Sequence, residues 1–371
     1  MADFQLAHAQ GDDWTTVAQA CWQQLVANNT AFLGFLYVSD AWAAEYIDLV
    51  AWFKQRLPQV HWVGSVGLSL CATGVVYHET PAIVVLLADF APSDFQVFNT
   101  ISENLDHFHS QHKDWYQSQQ SLFAVVHGDP RNAQINDLIQ NFSKAVDNAF
   151  LVGGLTSARQ THWQLADRPT QGGLSGVLFS SKVAVMTRLT QGCYPIGDVH
   201  EITDCQNNII MKINNRPALD VFFEAVGEQI QHDFFQIVGR IFIGLPIVGS
   251  DSDDYLIRPV LGIDPRNKFL AVADAVNVGS RLVFTHRHLS QAKAHMRAML
   301  WEMKDHWPHP PKGGLYFSCL GRGGHLFDHN DYELKLIQKE LGDFPLAGFF
   351  ANGEIFHQNL YGYSGILTLF F

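Results

Sequence analysis

The chain has 371 residues, 47% of them hydrophobic and 16% charged, a length for about two domains and a composition that fills cores rather than leaving the chain disordered. With 24 basic residues against 36 acidic ones the formal net charge is −12, and no Lys/Arg cluster interrupts it, so no nucleic-acid partner is expected. Residues 1–11 lack the basic and apolar regions of a signal peptide, and the apolar runs 81–88 and 365–371 are too short to span a bilayer. Five scattered cysteines (Cys21, Cys71, Cys193, Cys205, Cys319) form no CxxC pair, so the expectation is a cytoplasmic protein with reduced thiols and no membrane insertion.

Residues 1–30 read as a lead segment, and two similar stretches follow it. Residues 32–40 (FLGFLYVSD) and 121–129 (SLFAVVHGD) are strand-like apolar runs ending at a polar turn with Asp. Behind the first, Tyr46, Val50, Phe53 and Leu57 recur at helical spacing; behind the second, Ile135, Leu138, Ile139, Phe142 and Val146 do the same. Each helix leads to a glycine, Gly64 or Gly153 (followed by Gly154), at the same distance from the turn aspartates Asp40 and Asp129. Further strand-like runs, 81–89 and 173–189, close each copy.

Pro217 opens a helix with Leu219, Phe222, Phe223, Val226 and Ile230 in register, and the polar run 249–254 is the loop that follows. The helix at 290–305, with Ala292, Met296, Met299 and Met303 on one face, reads as part of a degenerate fourth unit. Residues 315–320 (LYFSCL) then begin a third, looser copy. It runs through a glycine-rich turn and a helix carrying Leu334, Ile337 and Leu341 to Gly348, with Cys319 aligned to Val38. The expected fold is mixed α/β (α+β), with repeated strand–helix–strand units forming sheets that carry helices on their faces. The domains read as 31–231 and 232–371, tightly associated.

Chemistry concentrates in three segments: Gln191 to Gly197 with Cys193, Pro195 and Gly197; Ser318 to Gly323 with Cys319 and Arg322; and Gly348 to Ile355 with Asn352 and Glu354. The Arg322 guanidinium suits a ligand carboxylate, or else forms an internal ion pair with Glu354. Glu354 accepts from a ligand amine or caps backbone N–H groups in a glycine turn. Cys319 is a reactive thiol beside Arg322 or an inert buried one, and Cys193 follows the same alternatives. The glycines, Gly192 and Gly353 among them, serve close packing or positive φ, and equally line a strand-end crevice. Among 18 histidines, the groups at 106–112 and 325–329 have metal-chelating spacings but read more simply as solvated. His200, His286 and His288 lie near sheet ends, where one imidazole suffices to hold a non-covalent haem.

Together with Gly153-Gly154 and the run Arg216-Pro217-Ala218-Leu219-Asp220, these segments resemble, in order, the N-terminal and C-terminal domains of the FIST family, from about Phe32 onward. The resemblance implies a small-ligand sensory protein. Having no output domain and no F-box-like lead, the chain is similar to the stand-alone bacterial type. Some such members bind haem, respond to nitric oxide and act beside a separate histidine kinase; for others amino acids are the suggested ligands. The ligand-binding residues would be Cys193, Pro195, Gly197, Cys319, Arg322, Gly348, Asn352 and Glu354. One departure is that residues 362–368 carry the Thr of the last strand without the His or Asn that many members place before it. The readings left open are a haem-based sensor, an amino-acid sensor without haem, and a thiol-dependent enzyme using Cys319, which lacks an evident base.

Overall fold

One arrangement occurs three times in the computed structural model, which describes residues 4–25, 30–147, 149–227, 239–247 and 255–371. A strand runs into a helix, and the chain returns as a second strand hydrogen-bonded parallel to the first. The first copy is Leu33–Ser39, Tyr46–Arg56 and His61–Gly67; the second is Leu122–Gly128, Ile135–Ala145 and Phe150–Leu155; the third is Gly313–Cys319, Tyr332–Leu341 and Leu346–Ala351. Each first strand takes an antiparallel neighbour on its other side, Ala82–Ala88, Leu174–Ser180 and Ser364–Phe370 respectively. These first strands are buried along their whole length, which is why they read as unbroken apolar runs. The helices bury the predicted stripes, Phe53 and Val50 in the first and Ile139 and Phe142 in the second.

The glycines mark the register. Gly64 lies opposite Leu36, Gly153 opposite Val126 and Gly348 opposite Tyr316. A Cβ on any of the three would stand 1.8 or 1.9 Å from the facing carbonyl oxygen, so nothing but glycine fits. The same register aligns Ser39, Asp129 and Cys319, which corrects the match of Cys319 with Val38 by one residue. It also brings the next equivalent residues, Tyr37, His127 and Phe317, into one cluster. The Tyr37 hydroxyl is 3.3 Å from His127 Nε2, and the rings of Phe317 and Phe349 pack on both.

Each copy then lends a hairpin to another copy's sheet. Strands Ser69–Ala72 and Val75–His78 extend the third copy's sheet, Gln164–Ala166 and Arg168–Thr170 the first copy's, and Glu354–Phe356 and Asn359–Tyr361 the second copy's. Each sheet has six strands, and the exchange is cyclic.

The chain divides into two compact units, one made of residues 1–190, 297–360 and 364–371, the other of 191–296 and 361–363. A single cut at residue 231 does not describe this division, because the third copy shares a unit with the first two. Nor are residues 1–30 merely a lead: Phe4–Gln10 pairs with Ala82–Ala88, and the helix Trp14–Gln24 buries Val17, Ala18 and Cys21. In the second unit, strands Cys193–Gln206, Arg281–Arg287, Ile241–Pro246, Tyr255–Asp264, Phe269–Val272 and Ile209–Ile213 pair in that order, and the last returns to the first, closing a barrel. The helix Ala218–Val226, with Pro217 as its N-cap, buries Leu219 and Phe222 among Ile202, Ile210 and Phe284. Ile230 and the loop 249–254 lie outside the described residues.

No fourth unit forms around the helix Leu289–His306: the strand before it and the strand after it belong to different sheets.

Candidate functional site

The third copy ends its first strand at Cys319, and a tight turn follows in which the Arg322 N–H donates to the Cys319 carbonyl at 2.8 Å. The turn carries the Arg322 side chain into the protein, where it is 1% exposed. A buried guanidinium needs a carboxylate, and it has one in Glu333, near the start of the following helix. Arg322 Nε donates to Glu333 Oε1 at 2.8 Å, with a second guanidinium nitrogen 2.7 Å from the same oxygen. Tyr316 donates its hydroxyl to that oxygen at 2.7 Å, Ser318 donates to Oε2 at 2.9 Å, and Arg322 also reaches the Thr190 carbonyl at 3.4 Å. Burial works against the guanidinium charge, but Glu333 and Tyr316 outweigh it and hold the group above its ordinary range. Arg322 thus pairs with Glu333, and Glu354 acts on the guanidinium as well.

Glu354 opens the hairpin strand that the third copy lends to the second, opposite Gly154. It is fully buried. Its Oε2 accepts from the Ser364 N–H at 3.1 Å and the Ser364 hydroxyl at 2.7 Å, whereas its Oε1 has no hydrogen-bond partner. Burial pushes the carboxyl up to about 8, against the pull of the Ser364 bonds, of Arg322 and of the Cys319 side chain. Cys319 (9% exposed), Arg322, Glu333 and Glu354 thus form one buried polar centre at the strand ends of the third copy.

The other predicted residues fall elsewhere or act as framework. Gly348 is the register glycine, and Asn352 is an exposed turn residue whose N–H donates to the Leu155 carbonyl. Cys193, Pro195 and Gly197 belong to the second unit: Cys193 is buried against Phe242 and Ile257, whereas Pro195 and Gly197 are exposed and Gly197 takes φ +70°. His200 Nδ1 meets Asn214 at 3.0 Å, and His288 Nδ1 meets Ser290 at 3.0 Å. His286 has a buried Nδ1 without a partner, and burial followed by the neighbouring His288 keeps its ring neutral, the form that ligates iron.

In the 106–112 group, His112 is buried and lines a polar cavity of about 190 Å³ with His107, Gln111 and Asn99, while His109 meets the Tyr116 hydroxyl at 2.8 Å. His325 and His329 are exposed. No three His, Cys, Asp or Glu side chains among the described residues are grouped to hold a metal ion.

Glu333 escaped the sequence reading. Its signal was positional, since it stands one helical repeat before Ile337 and two before Leu341, an acid on the buried stripe. Ser364 and Thr190 have no local signal, because they reach the centre through long-range pairing.

Two family models match the chain by sequence. The FIST N domain matches residues 33–216, and the FIST C domain matches residues 218–357. The chain belongs to the FIST family. FIST domains are sensory domains of signalling proteins. An uncharacterized protein found in two strains of Mycobacterium tuberculosis is 27% identical over 358 residues, 93% of this chain and 92% of the relative. An uncharacterized protein of Mycobacterium bovis is 25% identical over the same shares of the two chains. No helix among the described residues of this FIST protein is long and apolar enough to cross a membrane.

Proposed function

We propose that this FIST protein is a small-ligand sensor whose responsive centre is Cys319, Arg322 and Glu354, and that a separate signalling protein such as a histidine kinase reads its state. One observation carries the reading. Glu354 keeps a buried carboxyl oxygen without a partner, although the fold does not need that carboxyl for Arg322, which Glu333 already serves. A buried polar atom left open costs about 1–3 kcal/mol, which a ligand recovers by bonding it. The test is a thermal-shift screen of amino acids and other small polar molecules on the full chain, followed by titration of any hit. Glu354→Gln should weaken a true ligand on the order of tenfold with the fold intact, since the amide cannot reproduce the hydrogen bond of the carboxyl it replaces. A ligand that binds wild type and variant equally removes the centre from the reading.

The open ring nitrogen of His286 favours a second ligand, haem, carried over from the family resemblance. A Soret band after hemin titration that disappears in His286→Ala would support it; no Soret band removes it. The influence of the Cys319 side chain on Glu354 also favours a thiol enzyme with Glu354 as base, and a Cys319 that resists alkylation in the native protein removes that reading.

A further inference from the structure

The chain leaves the first unit between Thr190 and Gln191, and later makes a three-residue excursion, Tyr361–Tyr363, before returning at Ser364. Of the four crossings between the units, two have their first-unit residue held by the buried centre: Thr190 before Gln191, and Ser364 after Tyr363. Arg322 donates to the carbonyl of Thr190, and Glu354 Oε2 takes both the N–H and the hydroxyl of Ser364. Gly365 adds to the second hold, since a Cβ there would stand 2.4 Å from the Tyr316 hydroxyl that bonds Glu333. The far-side residues are fixed within the second unit. Gln191 Nε2 donates to the Tyr255 carbonyl at 2.9 Å, and Gly192 N–H donates to the Tyr363 carbonyl at 3.0 Å. Tyr363 packs on Phe242 with ring centroids 4.4 Å apart, and its backbone is in the left-handed region at φ +59°, uncommon for a bulky residue.

We infer that the centre is a latch on these two crossings: a ligand engaging Oε1 of Glu354 changes the hold of the same carboxyl on Ser364, and the Tyr361–Tyr363 excursion passes that change to the second unit. This rests on the sensory reading above and supplies its output route. The physical warrant is that one carboxyl group has two ends with different duties. Its open oxygen faces the ligand, and its bonded oxygen carries a backbone N–H at a crossing, so a bound and an empty centre differ in free energy at that N–H. The second copy has no such device, because the Gln164 that stands where Glu354 does bonds Gly173 and Ser175, neither of which adjoins a crossing.

Amide hydrogen exchange on the full chain without added ligand tests the latch. Glu354→Ala should speed exchange in segments 190–194 and 361–366 on the order of tenfold, the effect of losing a buried hydrogen bond, while strands Leu33–Ser39 and Leu122–Gly128 keep wild-type protection. Ser364→Ala, which keeps the N–H and removes only the hydroxyl, should give a smaller rise confined to 361–366. Unchanged exchange at both crossings overturns the latch, and so does a uniform rise through all three copies, which marks plain loss of stability. With no ligand present, the outcome is independent of whether the ligand centre is correctly assigned. A ligand weakened by Glu354→Gln beside unchanged crossings in Glu354→Ala would keep the sensor and discard the latch.

Discussion

The second and third copies place different side chains on one backbone. Register sets Asp129 against Cys319 and, three residues on, Asn132 against Arg322; in the lent hairpins it sets Gln164 against Glu354. In the second copy every one of these groups is satisfied close by. The Asp129 carboxylate accepts from Arg131 and from the Gly172 N–H, Asn132 bonds the Ser102 and Gly172 carbonyls, and Gln164 bonds Gly173 and Ser175 at its two ends. In the third copy the amides become an arginine and an acid, both fully desolvated, and one carboxyl oxygen is left open. A scaffold needs only the first arrangement. The second costs stability, as functional sites commonly do.

The comparison breaks most severely at Glu333. Glu333→Ala removes the carboxylate paired with the buried Arg322, which should cost about 3–5 kcal/mol and lower the denaturation midpoint sharply or abolish soluble expression. Arg322→Met in the Glu333→Ala background should recover much of that loss, because a buried pair exchanged for apolar groups is often neutral. Urea denaturation of the single and double variants decides it. A double variant no more stable than Glu333→Ala would show that the Tyr316 and Ser318 hydroxyls, rather than the arginine, need that carboxylate.

A smaller effect, with a definite pH course, is expected at Glu354. In the unfolded chain its carboxyl ionises near 4.5, and in the folded protein near 8. Between those values the folded state holds a proton that the unfolded state has shed, so stability falls as pH rises and levels off above about 8. Glutamine, the second copy's own choice, has no such proton. The stability of Glu354→Gln minus that of wild type should therefore grow from pH 5 to pH 8 and stay level from 8 to 9, whatever constant offset the amide brings. Thermal denaturation across that range measures it, and a difference that is flat from pH 5 to 8 would mean Glu354 ionises normally in the folded protein.

Much of this frame was legible in the residues, and the part that was not has a physical reason. The copies could be read because a carbonyl pressed against Gly64, Gly153 and Gly348 leaves no room for a side chain, and because the stripes of Ile135–Ala145 and Tyr332–Leu341 face their sheets. Cys319, Arg322 and Glu354 could be named as chemically unusual. Their arrangement could not, because the hairpin exchange that sets Glu354 against Gly154 is a pairing between residues 200 positions apart, on which local periodicity is silent. Glu333 was hidden for the opposite reason: on a short amphipathic helix an acid in the first turn looks like ordinary helix chemistry.

The smallest expected effect sharpens the comparison from the second copy's side. Arg131 pairs with Asp129 at 2.7 Å, much as Arg322 pairs with Glu333, but only the Asp129 side chain is buried, and the guanidinium is 50% exposed to water. Arg131→Ala should cost about 1–2 kcal/mol, more than a fully exposed pair because the carboxylate left behind is buried, and part of that should vanish in high salt, which screens the exposed guanidinium. The Arg131 guanidinium also holds Asp129 below the usual carboxylate range, against the opposing effect of burial. Removing it should raise the Asp129 pKa and shift acid unfolding slightly toward neutral pH. Equilibrium unfolding at low and high salt checks both points. A loss as large as that of Glu333→Ala would mean that the second copy's strand end is as dependent on its charge pair as the third's, and the contrast between scaffold and centre would then rest on the open oxygen of Glu354 alone.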